Sequence, residues 1–223
     1  RRDFTVNALS VDSRGHVHDP LGGYPDILAR RVRFIGDADR RIAEDRLRIL
    51  RFFRFNATFG DGSVDRDGLL AAIRARDGLR ALSAERVGQE MRRLVMAPGA
   101  APTLELMQDC GVLPVILAGV AYLGPFTRML AFEISVAAAP SFPLRLAALG
   151  CRVEEDALRL AGRLRLANAE RDLMVGSLAA APLVPPKGDA RAGRRLLYDV
   201  GEGVYRGAVA LADAWGRAGG DSG

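Results

Sequence analysis

Apolar residues recur at helical spacing almost throughout the chain from about residue 39 onward. Asp65 and Ser83 suit helix N-caps, whereas Gly60, Pro98 and Gly111 suit helix ends. The spacing predicts helices over residues 40–59, 65–76, 84–96, 103–109, 126–138, 144–149, 154–165, 169–180, 193–200 and 204–215. A chain with this pattern is expected to fold as a mainly α protein.

The β pattern is confined to the first 36 residues. Residues 9–12 and 17–19 alternate and are joined by a short turn, which predicts a hairpin, and a further strand is expected over residues 32–35. His16 and His18 alternate on this segment, but no third ligand lies nearby in the sequence, so we assign no metal site.

One stretch of the predicted helix over residues 40–59 combines a carboxylate with guanidinium groups. Asp45 and Arg48 are three residues apart, which on a helix places their Cβ atoms about 5–6 Å apart on one face. A hydrogen-bond acceptor beside a fork of donors matches the edge of a nucleobase. The alternative is a surface ion pair between Glu44 and Arg48, which would stabilise the helix by roughly a few tenths of a kcal/mol.

Four motifs occur in a fixed order along the chain. They are RRDFTxNAL at residues 1–9, DPLGGxxD at 19–26, EDRLRILRFFRF at 44–55 and ERVGQE at 85–90. In this order and spacing the chain resembles the bacterial class II tRNA nucleotidyltransferase and poly(A) polymerase family. The resemblance covers roughly residues 1–98 and is thin beyond them, where only residues 163–170 are similar to a helical segment of family members.

The resemblance implies a domain organisation. Residues 1–36 are expected to end a nucleotidyltransferase head, 37–98 to form a neck-like nucleotide-recognition domain and 99–216 a helical body or tail that binds RNA, while 217–223 form a frayed tail. In the family the head carries an Asp-x-Asp pair that binds Mg²⁺, and no such pair precedes Arg1. We therefore expect a piece of a longer protein, inactive alone, with no catalytic residue of its own.

Base recognition is the role that the resemblance implies for Asp45 and Arg48, with Glu44 holding Arg48 in orientation. Cytosine and adenine offer an amine to the carboxylate, whereas guanine and uracil oppose it with a carbonyl. A buried group left unpaired costs about 1–3 kcal/mol, so G and U would be rejected. Substitution of Arg51 or Arg54, farther along the helix, is expected to change this selectivity much less.

The resemblance also implies contacts to the rest of the nucleotide. Arg1, Arg2, Asp3 and Asn7 match the motif that contacts ribose and triphosphate in the family, and forked guanidinium donors suit phosphate oxygens. A second group is expected to support the recognition helix from behind: Glu85, Arg86 and Glu90. Family members often have proline where Arg46 stands.

The function implied is RNA 3′-terminal nucleotidyl transfer, foremost the addition of CCA to tRNA from CTP and ATP. The RNA 3′ hydroxyl would attack the α-phosphate of the nucleotide, and pyrophosphate would leave, with Mg²⁺ ions held by the head. Two alternatives stay open: a poly(A) polymerase using the same motifs, and a non-catalytic RNA- or nucleotide-binding remnant.

Composition agrees with a polyanionic partner and with a cytoplasmic, non-membrane protein. The net charge is +5, and residues 1–54 contain twelve arginines against eight carboxylates. Cys110 and Cys151 are too few for a disulfide scaffold, which favours a reducing compartment. The longest apolar run, residues 111–126, is interrupted by prolines and glycines and is too short to span a bilayer. The sequence does not specify an oligomeric state.

Overall fold

The computed structural model describes residues 2–186 and 189–216. Helices dominate these residues, which confirms the mainly α fold. Arg1 and the predicted frayed tail at 217–223 lie outside the described residues. The chain divides into two compact units, the first ending at Ala118 and the second beginning at Gly119. The finer predicted boundaries, after residues 36 and 98, stay predictions.

The first unit begins with the predicted hairpin. Strands β1 (Ser10–Val11) and β2 (Val17–His18) pair antiparallel, with Ser10 opposite His18, so the hairpin is confirmed although each strand is only two residues long. A short helix that the sequence did not predict follows, α1 (Gly23–Leu28). Asp19 starts this helix, because its carboxylate accepts hydrogen bonds from the backbone N–H groups of Gly23 and Tyr24.

The strand expected over residues 32–35 is wrong in extent. The structure has a single antiparallel bridge between Phe4 and Phe34, flanked by hydrogen bonds from Thr5 N to Arg33 O and from Ile35 N to Asp3 O, each 3.0 Å long. The partner segment turns into a 3-10 helix directly after Phe4, so no further residues are extended beside it. The pairing therefore stops after one bridge.

The single helix expected over residues 40–59 is also wrong, since two helices occupy this range. Helix α2 (Ala38–Glu44) ends before Asp45, which is extended with φ −155° and ψ 109°, and helix α3 (Arg48–Phe59) follows. The Asp45 carboxylate accepts a hydrogen bond of 3.0 Å from Leu47 N. A short acidic side chain that bonds the backbone two residues later competes with helix continuation. Asp45 and Arg48 consequently do not share a helical turn.

Helix α3 anchors the first unit through its aromatic face. Phe52 and Phe53 are fully buried, and Phe52 lies 5.4 Å, ring centre to ring centre, from Phe34 and 6.3 Å from Phe4. Burying a large apolar side chain stabilises a fold by roughly 1.5–3 kcal/mol. Because Phe4 belongs to this cluster, the N-terminal segment is held against α3.

Four further α-helices and a 3-10 helix (Arg76–Ala81) complete the described part of the first unit. Asp65 caps the first of them by accepting a hydrogen bond from Gly68 N, as predicted, whereas Ser83 stands at the N-cap of a later helix without a side-chain cap bond. Gly111 has a φ of +73°, the left-handed conformation expected of it. The α-helices are α4 (Arg66–Ala75), α5 (Ala84–Val95), α6 (Ala100–Asp109) and the unpredicted α7 (Val112–Leu117).

The second unit has helices at all six predicted places, with ends shifted by a few residues. Helix α11 packs against α13, and a buried ion pair joins α8 to α9, in which Arg145 Nη2 lies 2.7 Å from Glu133 Oε2. No helix in the described part of the chain is long and apolar enough to cross a membrane. The six are α8 (Leu123–Ser135), α9 (Phe142–Gly150), α10 (Glu154–Arg163), α11 (Asn168–Ala180), α12 (Ala190–Val200) and α13 (Glu202–Ala214).

Candidate functional site

Asp3 lies at the centre of the candidate site, where its carboxylate contacts three guanidinium groups. Only 3% of Asp3 is exposed. Arg48 Nε donates a hydrogen bond of 2.8 Å to Oδ1, Arg41 Nη2 donates one of 3.3 Å to the same oxygen, and Arg51 Nη1 lies 2.9 Å from Oδ2. The backbone bridge at Phe4 and the burial of its ring hold Asp3 in this place. The RRDFT motif therefore meets helices α2 and α3 at one buried carboxylate.

Glu44 supplies a second carboxylate to the same cluster. Arg48 Nη1 donates hydrogen bonds of 2.6 Å to Glu44 Oε2 and of 2.6 Å to the Arg41 carbonyl, and Arg41 also donates to Glu44. Burial opposes the charged form of Arg48, but the bonds to Glu44 and Asp3 outweigh it and raise the pKa of Arg48 above its usual value. Arg48 is thus held as a fixed cation.

Asp45 stands beside this cluster, at the break between α2 and α3. Arg86 Nη2 donates a hydrogen bond of 2.7 Å to Asp45 Oδ2. Burial would raise the pKa of Asp45, but the bonds from Arg86 and from Leu47 N, with the nearby charge of Arg48, lower it overall. The carboxylate is ionised at neutral pH, and 30% of the side chain is exposed. Asp45 is therefore an accessible hydrogen-bond acceptor that is held in place by Arg86.

Helix α5 carries the ERVGQE motif and contacts this region at two points. Arg86 reaches Asp45, as described above, while the buried Glu90 accepts a hydrogen bond of 2.5 Å from Arg54 Nε. Glu85 is exposed on the first turn of α5. The motif thus contacts both the helix break and α3.

The remaining residues of the predicted nucleotide contacts lie at the N-terminal edge of the cluster. Arg2 is exposed, and its carbonyl accepts a hydrogen bond of 2.9 Å from Arg41 Nη2. Arg2 and Arg41 also line a cavity of about 270 Å³. Asn7 Oδ1 accepts a bond of 3.3 Å from Phe4 N, and Arg1 lies outside the described residues.

Three arginines of this region were missed by the sequence reasoning. Arg41 and Arg51 both contact Asp3, and Arg54 pairs with Glu90. The expectation that substitution of Arg51 or Arg54 changes base selectivity much less stays a prediction, although both side chains contact carboxylates of other elements. Their spacing of three residues from Arg48 and from each other placed all three on one helical face, and that signal could have identified them.

A further buried carboxylate, Asp26 of the DPLGGxxD motif, fixes the segment that follows Asp3. Thr5 Oγ1 donates a hydrogen bond of 2.6 Å to Asp26 Oδ2, and Arg31 Nε and Arg33 Nε donate at 2.8 and 3.0 Å. Burial raises the pKa of Asp26, but these three donors outweigh that effect and lower it. The motif therefore positions the N-terminal segment.

The hairpin histidines both approach one carboxylate. His16 Nδ1 lies 3.2 Å and His18 Nε2 lies 3.6 Å from Asp12 Oδ2. Within residues 2–186 and 189–216 there is no group of three or more His, Cys, Asp or Glu side chains that could hold a metal ion.

Taken together, the cluster has an excess of positive charge beside one accessible acceptor. The guanidinium groups of Arg41, Arg48 and Arg51 face the carboxylates of Asp3 and Glu44, three positive charges against two negative. Such an excess favours an anionic ligand, and Asp45 offers that ligand a hydrogen-bond acceptor.

Two family models match the chain. The one described as "Poly A polymerase head domain" matches residues 1–33, and the one described as "Probable RNA and SrmB- binding site of polymerase A" matches residues 66–123. These matches flank the region of Asp45 and Arg48.

Curated relatives are similar over much of this chain. The mitochondrial CCA tRNA nucleotidyltransferase 1 of Mus musculus is 34% identical over 176 residues, which are 78% of this chain and 40% of the relative. The CCA-adding enzyme of Geobacillus thermodenitrificans is 40% identical over 128 residues, 57% of this chain and 31% of the relative. The chain thus spans less than half the length of these relatives.

Solved structures share the fold. The Bacillus stearothermophilus CCA-adding enzyme in complex with CTP matches with a TM-score of 0.70 at 24% identity, over 96% of this chain and 53% of that one. The Thermotoga maritima CCA-adding enzyme complexed with tRNA_CCA gives a TM-score of 0.69 at 18% identity, over 96% and 55% of the two chains.

Proposed function

The chain belongs to the family of CCA-adding enzymes and poly(A) polymerases, and we propose that it carries the nucleotide-selecting part of an enzyme that adds CCA to tRNA 3′ ends from CTP and ATP. The observation that supports this proposal is a pair of hydrogen-bond networks, one on each side of the break between α2 and α3. Asp3 and Glu44 fix Arg48, and Arg86 fixes Asp45 on the other side of residues 46 and 47.

The networks leave hydrogen-bonding capacity for a base. Arg48 commits Nε and Nη1 to protein acceptors, and Nη2 has no partner among the described residues. Asp45 Oδ1 accepts a hydrogen bond from Leu47 N and Oδ2 accepts one from Arg86 Nη2, and each oxygen has a second lone pair. One acceptor and one donor are thus free to meet a base edge.

This pair of groups distinguishes the four bases. The amine of cytosine or adenine donates to Asp45, and the adjacent ring nitrogen accepts from Arg48. Guanine and uracil present a carbonyl to Asp45 and an N–H to Arg48, so both contacts are mismatched. Each unpaired group costs about 1–3 kcal/mol, so two mismatches reject G and U by orders of magnitude.

The phosphate and ribose contacts belong to the N-terminal motif. Arg1 and Arg2 supply guanidinium donors for the triphosphate, and Asn7 supplies an amide for the ribose. Asp3 serves mainly as the counter-ion that holds Arg48, since it is buried among three arginines. Among the described residues, no group of three or more His, Cys, Asp or Glu side chains could hold the Mg²⁺ that the family uses.

We assign the protein to a reducing compartment such as the cytoplasm. Cys110 and Cys151 are free thiols, and burial raises the pKa of Cys151 to about 12 and also raises that of Cys110. Both thiols are therefore protonated at neutral pH, which is typical of structural cysteines.

The product of the reaction tests the function. The protein that contains this chain is incubated with tRNA lacking its CCA end, all four nucleoside triphosphates and Mg²⁺, and the 3′ ends are sequenced. We expect C, C and A to be added, after which addition stops. Runs of A alone would contradict this proposal and indicate poly(A) addition. The descriptions of the two matching family models refer to that polymerase. Binding of tRNA without extension would indicate a non-catalytic module.

A further inference from the structure

Helix α12 presents an exposed stripe that no part of the nucleotide site uses. The helix is anchored through Gly193 and Leu196, which are buried. The opposite side carries residues spaced three or four apart along the helix, which therefore lie next to one another on its surface. These residues, all exposed, are named the α12 stripe: Arg191, Arg194, Arg195 and Tyr198.

The stripe is positively charged and largely unneutralised. Neither Arg191 nor Arg194 pairs with a carboxylate in the part of the chain that the structure describes. Arg195 Nε is 4.0 Å from Asp199 Oδ2, in a pair whose side chains are 85% and 56% exposed. With Asp199 included, three arginines stand against one carboxylate, so the stripe has a net positive charge.

Tyr198 adds an aromatic ring to this charge. The residue is 90% exposed, the largest exposure among the described large apolar and aromatic side chains. It lies four residues after Arg194 and three after Arg195, so guanidinium groups flank the ring. A ring this exposed contributes almost nothing to the stability of the fold, because it buries almost no area.

A cavity adjoins the α12 stripe at Arg194. Arg194 and Leu197 border a space of about 490 Å³ whose other walls include Phe132, Pro185 and Tyr205. Most of the lining residues are apolar or aromatic, with Asp189 and Asp213 as the acidic ones, so the cavity can accommodate a flat ring beside the guanidinium of Arg194. The stripe therefore combines cations, an exposed aromatic ring and an adjoining apolar recess.

We propose that the α12 stripe binds unpaired nucleotides of the RNA substrate, with the arginines on phosphates and a base stacked on Tyr198. Aromatic rings flanked by cations are the platforms that proteins use for single-stranded or looped RNA. A paired RNA helix offers phosphates to the arginines but keeps its bases stacked internally, so it leaves Tyr198 without a partner. An acidic protein surface would likewise engage only the charges. The inference rests on the proposed function solely in taking RNA as the partner.

Equilibrium binding in the absence of nucleoside triphosphates tests this surface. The protein that contains this chain is titrated against fluorescently labelled tRNA lacking its CCA end, and against a fully paired RNA duplex of the same length, at several salt concentrations. We expect Tyr198→Ala to weaken tRNA binding roughly tenfold and to leave the salt dependence unchanged, because stacking releases no counterions. Tyr198→Phe keeps the ring and should bind as the wild type does. Binding to the duplex should be the same for all three proteins.

The arginines should give a different signature. The double variant Arg191→Gln, Arg194→Gln is expected to weaken binding at low salt and to reduce the slope of log K against log salt by roughly 0.7 for each lost contact. The matched control is Arg206→Gln, which removes an arginine of α13 that is 77% exposed and paired with Glu202. This control should leave both the affinity and the slope as in the wild type.

Three outcomes would overturn the inference. Unchanged tRNA affinity in Tyr198→Ala would exclude stacking, equal losses in Tyr198→Ala and Tyr198→Phe would indicate a hydroxyl contact, and competition by polyglutamate as strong as that by tRNA would indicate a general polyanion surface. Since these measurements contain no nucleotide incorporation, they can fail while CCA addition is observed, or succeed while it is absent.

Discussion

In the proposed function, base recognition depends on Asp45, whose ionisation is influenced by Arg86 from another motif. Arg86 donates to its carboxylate from α5, and this bond is the largest influence that lowers its pKa against the opposing effect of burial. When the Asp45 carboxylate is ionised it only accepts hydrogen bonds, so it pairs with the amine of cytosine or adenine. In this proposal Arg86 acts on the base through Asp45 and needs no contact with the base itself.

The first prediction concerns Arg86→Gln. With the guanidinium gone, burial remains and the pKa of Asp45 rises. As the pH is lowered, the preference for CTP over UTP should therefore be lost at a higher pH than in the wild type. The check is the ratio of kcat/KM values for CTP and UTP between pH 5 and pH 8, measured with the protein that contains this chain. Arg80→Gln, which alters an exposed arginine 3.8 Å from Asp77, is the control and should follow the wild type.

The same pair makes a small contribution to stability. Because the folded pKa of Asp45 is lowered, this contribution is present above the ordinary aspartate pKa of about 3.9 and is lost as the pH falls through the folded value. The Arg86 side chain is 48% exposed, so the pair is worth less than about 1 kcal/mol. The Arg86→Gln protein could instead lose several kcal/mol of stability at neutral pH and keep the wild-type pH dependence of the CTP-to-UTP ratio. Arg86 would then have a purely structural role.

Among the secondary-structure elements, the break between α2 and α3 is the feature that apolar periodicity could not predict. The apolar spacing continues through residues 45–47, because side chains on both helices point into the same core. The local hydrogen bond from Leu47 N to the Asp45 carboxylate competes with helix continuation at this point. A clue was available in the proline that family members often have at position 46, since the residue before proline favours the extended conformation that Asp45 adopts.

Packing between helices gives the second prediction, at Gly207 on α13. A Cβ at this position would lie 2.1 Å from Ser177 Oγ on α11, and α11 and α13 pack closely. Gly207→Ala should destabilise the fold by about 1–3 kcal/mol, seen as a lower Tm. Gly203→Ala on the same helix meets nothing within 4 Å and should leave the Tm unchanged or raise it slightly. Equal Tm values for the two variants would mean that α11 and α13 are not packed as described.

For the whole molecule, the mainly α fold and nearly every helix beyond residue 60 followed from the sequence, because caps and breakers mark their ends. The contacts of the site did not follow in the same way. Asp3 is 45 residues from Arg48, and Asp45 is 41 residues from Arg86. Such pairings depend on how the aromatic cluster of α3 holds separate segments together, and a single sequence gives residue types and spacing but no long-range distances.

Nucleotide selectivity in Asp45→Ala is the measurement that tests the proposed recognition of the base by Asp45 and Arg48. The values of kcat/KM for CTP, ATP, GTP and UTP are measured with tRNA lacking its CCA end, with Asp39→Ala of α2, an exposed residue paired with Arg74, as the control. We expect discrimination against GTP and UTP to fall by roughly tenfold to a hundredfold in Asp45→Ala and to stay as in the wild type in Asp39→Ala. An equal loss of activity with all four nucleotides in Asp45→Ala, with discrimination unchanged, would contradict the proposed recognition.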